Sequence, residues 1–381
     1  MRVLGLMSGT SADGVDAVLA SFHGPVRRPH WQIHGRASVA YPAPLRDQIV
    51  AVGQGQPTTA ADLLELGEAL TEVQAEAALA CDPKGSAERV GCHGQTLWHR
   101  PPSPERAGNS WQLLHAQRLA HRLDTPVVFD FRAADLALGG QGAPLVPAAD
   151  AALLPPIGGW RALLNLGGIA NLTLLPPCSG PERGAAVLGW DCGPANTLLD
   201  LAVRHFSQGA QSFDAGGAWA AKGQADEALI SRWLQEPYVQ GRPPKSTGRE
   251  LFGAADLERR LREIHPAEPA DALATLTGFT AAVVAQDLQH GTPPLELLVA
   301  GGGARNATLM AELRRRCRGL RLRPLAELGI AESDREALAF ALLAWWHARG
   351  VSGSLTSVTG ARRPSVLGLC ADPPGRAGQR P

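Results

Sequence analysis

Two acidic residues sit where a chain can aim a carboxylate at a substrate. Asp191, in GWDCGPAN, ends a short strand-like run beside a Gly-Pro turn and a helix start, a place from which a general base can work. The same position suits a helix cap, so the string by itself leaves base and cap open. Glu336, in SDREALAFA, lies near another helix start, where the helix dipole favours an acid whatever its chemistry.

Glycine-rich turns supply a second kind of chemistry. GTSADGVD spans Gly9, Thr10, Ser11, Ala12, Asp13, Gly14, Val15 and Asp16; NLGGIAN carries Gly167 and Gly168; AGGGARN carries Gly302 and Gly303. Glycines let backbone N–H groups converge on phosphate oxygens, and Thr10 and Ser11 add hydroxyl donors. Asp13 and Asp16 can hold Mg²⁺ through water, because this ion keeps much of its hydration shell. Each turn alone also reads as an ordinary hairpin or cap. Together, each straight after a strand, they form a nucleotide-binding constellation. Neither a Walker A string nor GxGxxG occurs, which argues against P-loop and Rossmann binding.

Four further strings are polar, loop-like and rich in hydrogen-bond donors, as a sugar pocket requires: HGQT with His93 and Gln95, DFR with Arg132, GGQGAP, and PPKSTGRE with Lys245 and Arg249. The plainer alternatives are a structural histidine at a strand end and solvated surface charges. The Pro-Pro-Lys-Ser-Thr-Gly setting favours a fixed loop near an anion.

The elements that must position these groups can be read from periodicity. Apolar runs at 3–7 and 15–22 around an Asp-Gly turn predict a hairpin, and 161–166 with 171–175 around Gly-Gly predict a second. Strands are expected at 31–41, at 89–93 ending in HGQT, at 126–131, at 187–191 and at 295–299. Helices are expected at 60–80, from Ser110 to about Leu123, and at 196–206, 226–234, 254–264, 271–289 and 333–349, with another from about Ala307. The segment RAADLALGGQGAPLVP is too rich in Gly and Pro for a regular element. Two hairpin-plus-helix halves point to a duplicated α/β fold with a cleft between lobes. Lobe I is expected at 1–125 and 345–370, lobe II at 126–344, and a disordered Pro/Gly/Arg-rich tail at 371–381.

Composition limits the partners. The chain has 381 residues, enough for two lobes, and its 36 Lys+Arg balance 36 Asp+Glu. No overall field attracts nucleic acid or an anionic membrane, so a phosphate must be held by local geometry. No run approaches a membrane helix, and the N-terminus enters a strand without a signal-like segment. Six scattered cysteines without a CxxC pair predict reduced, mostly buried thiols in a cytoplasm.

The strings GTSADGVD, HGQT, VVFDFRAADLALGGQGAPLVP, NLGGIANLT, GWDCGPAN, PPKSTGRE, GGGARN, EALAFA and SVTGA occur in the order found in anhydro-N-acetylmuramic acid kinases, which this chain resembles from about residue 3 to 368. The resemblance implies a two-lobed actin/hexokinase/Hsp70-type (ribonuclease H-like) fold and a homodimer. It implies an enzyme that uses ATP and Mg²⁺ to open 1,6-anhydro-N-acetylmuramic acid from cell-wall turnover, giving N-acetylmuramate 6-phosphate and ADP. Asp191 then matches the base that draws a proton from water attacking C1, and Glu336 the acid residue assisting around the same water and sugar. GTSADGVD matches the ATP-binding turn. His93, Gln95, Arg132, Asn196 and Lys245 are the expected sugar-binding set; no metal ligand is assigned.

The chain departs from the family pattern at Cys192 and Ala195, at Ala12, at Asp150 where His is typical, and in QLLHAQ, where Leu114 and His115 stand out. An alternative class is an ATP-independent hydrolase using the same two carboxylates, which in an inverting enzyme lie roughly 6.5–9.5 Å apart. The glycine-rich turns favour the kinase, since a glycosidase has no use for them. A non-catalytic actin-like binding protein leaves both carboxylates and the Lys245 loop unexplained.

Overall fold

The opening run RVLGLMS is apolar at nearly every position, as expected for a strand covered on both faces, and forms β1 (Arg2–Ser8). The chain returns as β2 (Gly14–His23), and β3 (His30–Ala40) completes an antiparallel meander. β4 (Arg89–Arg100) lies parallel to β1, β5 (Asn109–Leu113) folds back on β4, and β6 (Val127–Phe129) lies parallel to β4. In this computed structural model the described residues are 1–375 without Pro244, Arg249, Glu250, 265–267 and Gly291.

The same grammar recurs. β7 (Arg161–Leu166), β8 (Ile169–Leu175) and β9 (Leu188–Pro194) form a second antiparallel meander. β10 (Glu296–Ala300) then lies parallel to β7, and β11 (Arg321–Pro324) parallel to β10. β12 (Leu369–Ala371) adds an antiparallel edge strand to β6. The two sheets run β3-β2-β1-β4-β6-β12 and β9-β8-β7-β10-β11, so five strands repeat in order and direction. That repetition is the duplicated ribonuclease H-like fold of actin and hexokinase.

The chain divides into two units, Met1–Pro155 with Ser333–Pro381, and Pro156–Glu332. In the first, the helix Asp334–His347 is buried over most of its surface, and β1 lets it approach closely. A Cβ on Gly5 would lie 1.8 Å from the Ala337 carbonyl oxygen, so a side chain there would push the helix, and Glu336 with it, off the sheet. In the second unit the mostly buried helix Pro269–Asp287 belongs to a core with Trp190, Leu198, Leu199 and Trp233.

Several elements differ from expectation. Ser110 caps no helix: Asn109–Leu113 is a strand, with Trp111 opposite Trp98, and the helix begins at Ala116. HGQT does not end its strand but lies inside β4, at an irregularity between the Leu6–Cys92 and Ser8–Gln95 pairings. The segment expected to be irregular contains the short helix Ala133–Ala137 and the start of Val146–Leu153. Residues 126–155, expected in lobe II, belong to the first unit because β6 pairs with β4, and the start of the Asp334–His347 helix is there too. Of the expected tail, Ala371 ends β12 and residues 376–381 lie outside the described residues. All six cysteines are free, four of them buried. Among the described residues no helix is long and apolar enough to cross a membrane.

Candidate active site

The first glycine-rich turn is held from beneath by a buried polar relay. Tyr41 donates through its hydroxyl to Ser8 Oγ at 3.0 Å, Ser8 donates to Gln95 Oε1 at 2.5 Å, and Gln95 Nε2 donates to the Gly9 carbonyl at 3.2 Å. Gln95, expected to meet sugar, is fully buried and instead supports this turn. Ala12 takes φ +54, a left-handed conformation uncommon outside glycine, and is fully buried. Asp13 is exposed and pairs with Arg46 at 3.0 Å. Burial pushes the Asp16 carboxyl above its ordinary range, a Ser38 hydrogen bond opposes this, and Asp334 and Asp13 push it further up.

Glu336 sits in the first turn of its helix, and its two predecessors are pinned. Asp334 accepts from Arg36 Nε at 2.5 Å, and Arg335 donates to both oxygens of buried Asp150, at 3.1 and 2.6 Å. Asp150 is therefore the partner of Arg335. Burial raises the Glu336 carboxyl above its usual range; Arg335 and Arg132 pull it down, while Asp150 and Asp16 push it up. Arg132 donates to the Gly142 carbonyl at 2.7 Å and to His93 Nε2 at 3.2 and 2.9 Å. With Nε2 accepting, His93 donates from Nδ1 to the Gly94 carbonyl at 2.8 Å. Burial and the neighbouring Arg132 drive its pKa down to about 3, so the ring is neutral at physiological pH. His93 is 2% exposed and its ring orients Arg132. The GGQGAP loop is fixed by buried Asp135, which accepts from the Gly142 N–H at 2.9 Å and Thr359 Oγ1 at 2.7 Å. In QLLHAQ, the His115 N–H donates to Thr71 Oγ1 at 3.1 Å and its ring lies against Gly67.

In the second unit, Asp191 stands on β9, bonded to Lys245, Ser246 and Thr247. The Asp191 N–H donates to the Lys245 carbonyl at 3.0 Å, and its own carbonyl accepts from Tyr238 Oη at 2.8 Å. Ser246 Oγ at 2.9 Å and the Thr247 N–H at 3.1 Å both donate to Asp191 Oδ2. Donors of this kind favour the ionised carboxylate and fix its orientation, as a base requires. Asp191 caps no helix, because the following helix starts at Asn196 with Ala195 as its N-cap residue. Lys245, expected near an anion of the ligand, pairs instead with Asp287 at 2.9 Å, where its side chain is 7% exposed. Arg249 lies outside the described residues.

The turn at Gly167 and Gly168 is clamped differently from the first. Their carbonyls accept from the N–H groups of Ala195, Asn196 and Thr197 at 2.9–3.0 Å. Since a trans peptide sets N–H opposite C=O, this turns the Gly168 and Ile169 N–H groups away from the helix. A Cβ on Gly168 would lie 2.7 Å from Thr197 Oγ1, so the clamp excludes a side chain. Asn196 Nδ2 donates to the Leu166 carbonyl at 2.9 Å, and Gly302 and Gly303 lie against Asn196, which therefore organises two turns.

The structure thus gathers Gln95, His93, Arg132, Asp16 and Glu336 in the first unit, and Asp191, Lys245, Gly167, Gly168, Asn196, Gly302 and Gly303 in the second. Sequence reasoning missed Asp150 with Arg335, Tyr238 and Asp287. Asp287 carries a signal, an acid at the C-terminal end of its helix, where the dipole disfavours it, and Asp150 had stood out only as a departure from the family pattern. Among the described residues no group of three or more His, Cys, Asp or Glu can hold a metal directly.

A sequence model of the family described as anhydro-N-acetylmuramic acid kinase matches residues 1–372. A relative named anhydro-N-acetylmuramic acid kinase from Synechococcus sp. (strain CC9605) is 65% identical over 378 residues, covering 98% of this chain and 100% of the relative. One of the same name from Synechococcus sp. (strain WH7803) is 60% identical over 386 residues with the same coverage. A solved activator of 2-hydroxyisocaproyl-CoA dehydratase from Clostridium difficile, with bound ADPNP, covers 92% of this chain and 96% of its own at 13% identity and a TM-score of 0.44, too distant to carry an argument. On its sequence, matched end to end, the chain belongs to the anhydro-N-acetylmuramic acid kinase family.

Proposed function

We propose that this protein uses ATP to open 1,6-anhydro-N-acetylmuramic acid and phosphorylate its O6, in the recycling of cell-wall sugar. The observation that carries the reading is the end-to-end kinship, at 65% identity with a relative of that name. In this reaction the bond between C1 and O6 breaks as water attacks C1. Asp191 takes the proton of that water, O6 leaves with the electron pair, and the freed O6 accepts the γ-phosphoryl group as ADP departs. No separate acid is needed for the leaving oxygen, because phosphorus replaces the proton.

Support for Asp191 as the base is its fixed carboxylate, with Ser246 Oγ and the Thr247 N–H on Oδ2. Glu336 assists around the same water and sugar, and Arg132, oriented by His93, meets the anionic substrate. The turns at Gly9–Asp16, Gly167–Gly168 and Gly302–Gly303 receive ATP through backbone N–H groups. Asp13, Asp16 and Asp334 form a set of acids; burial raises the Asp16 carboxyl, the Ser38 hydrogen bond opposes this, and the charges of Asp334 and Asp13 raise it further. That set suits a hydrated Mg²⁺, which contacts protein through few carboxylates and supplies neutralising charge at the phosphates; Asp13 and Asp16 would hold it through water.

The test incubates purified protein with anhydro-sugar, with and without MgATP, and follows products by mass. N-Acetylmuramate 6-phosphate formed only with MgATP is the expected result; ring opening without ATP would make the protein a hydrolase. We extend the reading to a cytoplasmic homodimer. A sedimentation mass equal to the 40.0 kDa chain, rather than twice that, would remove the dimer. Recovery of the protein outside the cytoplasmic fraction would remove the location.

A further inference from the structure

A carboxylate absent from the proposed chemistry ties the strand that carries Asp191 to the loop bonded to it. Asp287 is fully buried at the last position of the helix Pro269–Asp287, the end at which the helix dipole disfavours an anion. Its Oδ2 accepts from Trp190 Nε1 at 2.9 Å and its Oδ1 from Lys245 Nζ at 2.9 Å. The buried Cys192 thiol faces the same carboxylate; its burial, reinforced by Asp287, pushes the thiol well above its ordinary range and keeps it protonated.

Trp190 and Cys192 flank Asp191 where the β8–β9 register shifts, and both meet Asp287. Asp287 therefore grips β9 immediately before and after Asp191. Through Lys245 it also grips the loop whose Lys245 carbonyl, Ser246 hydroxyl and Thr247 N–H all bond to Asp191. Lys245 lies in addition 5.2 Å from the centre of the Tyr238 ring, and Tyr238 bonds the Asp191 carbonyl. The circuit closes on itself: Asp287, Lys245, the loop, Asp191, Trp190 and back to Asp287.

We infer that Asp287, acting through Lys245 and Trp190, is the positioning residue that aims the Asp191 carboxylate. The inference rests on Asp191 being the base, and it gives Lys245 an anchoring role in place of ligand contact.

The test compares wild type with Asp287→Asn and with the charge-free double variant Lys245→Met/Asp287→Leu. Removing one member leaves a buried charge uncompensated and can unfold the unit, whereas replacing both members of a buried pair by apolar groups is often neutral. Where the single variant fails to fold, the double variant decides. Two readouts are taken: steady-state kinetics of sugar-dependent ADP release, and hydrogen–deuterium exchange of the Thr247 amide. A loose base lowers kcat by about tenfold or more while KM for ATP stays within about twofold, and Thr247 exchanges faster. A folded double variant with wild-type kcat, or with unchanged exchange at Thr247, overturns the inference. If wild type itself lacks sugar-dependent ADP release, the kinase reading fails, and exchange at Thr247 still judges the positioning role.

Discussion

The two carboxylates proposed for the chemistry are held by different physics. On Asp191 Oδ2 two directional donors meet, the Ser246 hydroxyl and the Thr247 backbone N–H. Around Glu336 there are charges of both signs, Arg335 and Arg132 against Asp150 and Asp16, with burial raising the carboxyl. Neutral donors fix where a carboxylate points and favour its ionised form. Opposed charges in a buried setting leave ionisation sensitive to each neighbour.

The comparison breaks most visibly at Asp191. Asp191→Asn keeps the size of the side chain and removes the basic oxygen, so ring opening is expected to fall by about 10²–10⁴-fold while ATP still binds. Product formation by mass and ATP titration by calorimetry check the two halves. Turnover near the wild-type rate would take Asp191 out of the mechanism.

Next in size is the charge balance at Glu336. Arg335 favours the ionised carboxylate, so Arg335→Met raises the pKa of Glu336 and moves the acid limb of kcat/KM to higher pH. Asp150 disfavours ionisation, so Asp150→Asn moves the same limb to lower pH. Each variant also breaks a buried ion pair, at a cost of roughly 3–5 kcal/mol in stability. Loss of folding would affect both alike, but only a tuning role moves the two limbs in opposite directions. Limbs that stay together would show the pair to be structural alone.

The parts of this arrangement legible in sequence are those written locally. The hairpins β1–β2 and β7–β8 follow from apolar runs split by glycine turns, and the Asp191 string carries its own strand end and helix start. Parts settled by distant partners were not legible. Asn109–Leu113 has a Ser that could cap a helix, and only pairing with β4 makes it a strand. Residues 126–155 fall in the first unit because β6 finds β4. Lys245 looks like a ligand for an anion until Asp287, 42 residues on, takes up its charge. His93 and Gln95 look equally available, and burial alone turns them into supports for Arg132 and for the first glycine turn.

The smallest expected effect tests whether the directional contacts at Asp191 act singly or together. Ser246 is exposed, and its hydroxyl donates to Asp191 Oδ2 beside the Thr247 N–H. Ser246→Ala removes that donor and leaves the Thr247 N–H, which the backbone holds in place. Water can reach an exposed site and replace part of the lost bond, so the cost is expected at about 1 kcal/mol, or roughly fivefold in kcat. Thermal stability should stay within a degree or so, since no buried group is left unpaired. A loss as large as that of Asp191→Asn would mean that the hydroxyl takes part in proton transfer itself. No loss at all would mean that the backbone donor and the Lys245 anchor suffice, leaving orientation of the base to the loop's main chain.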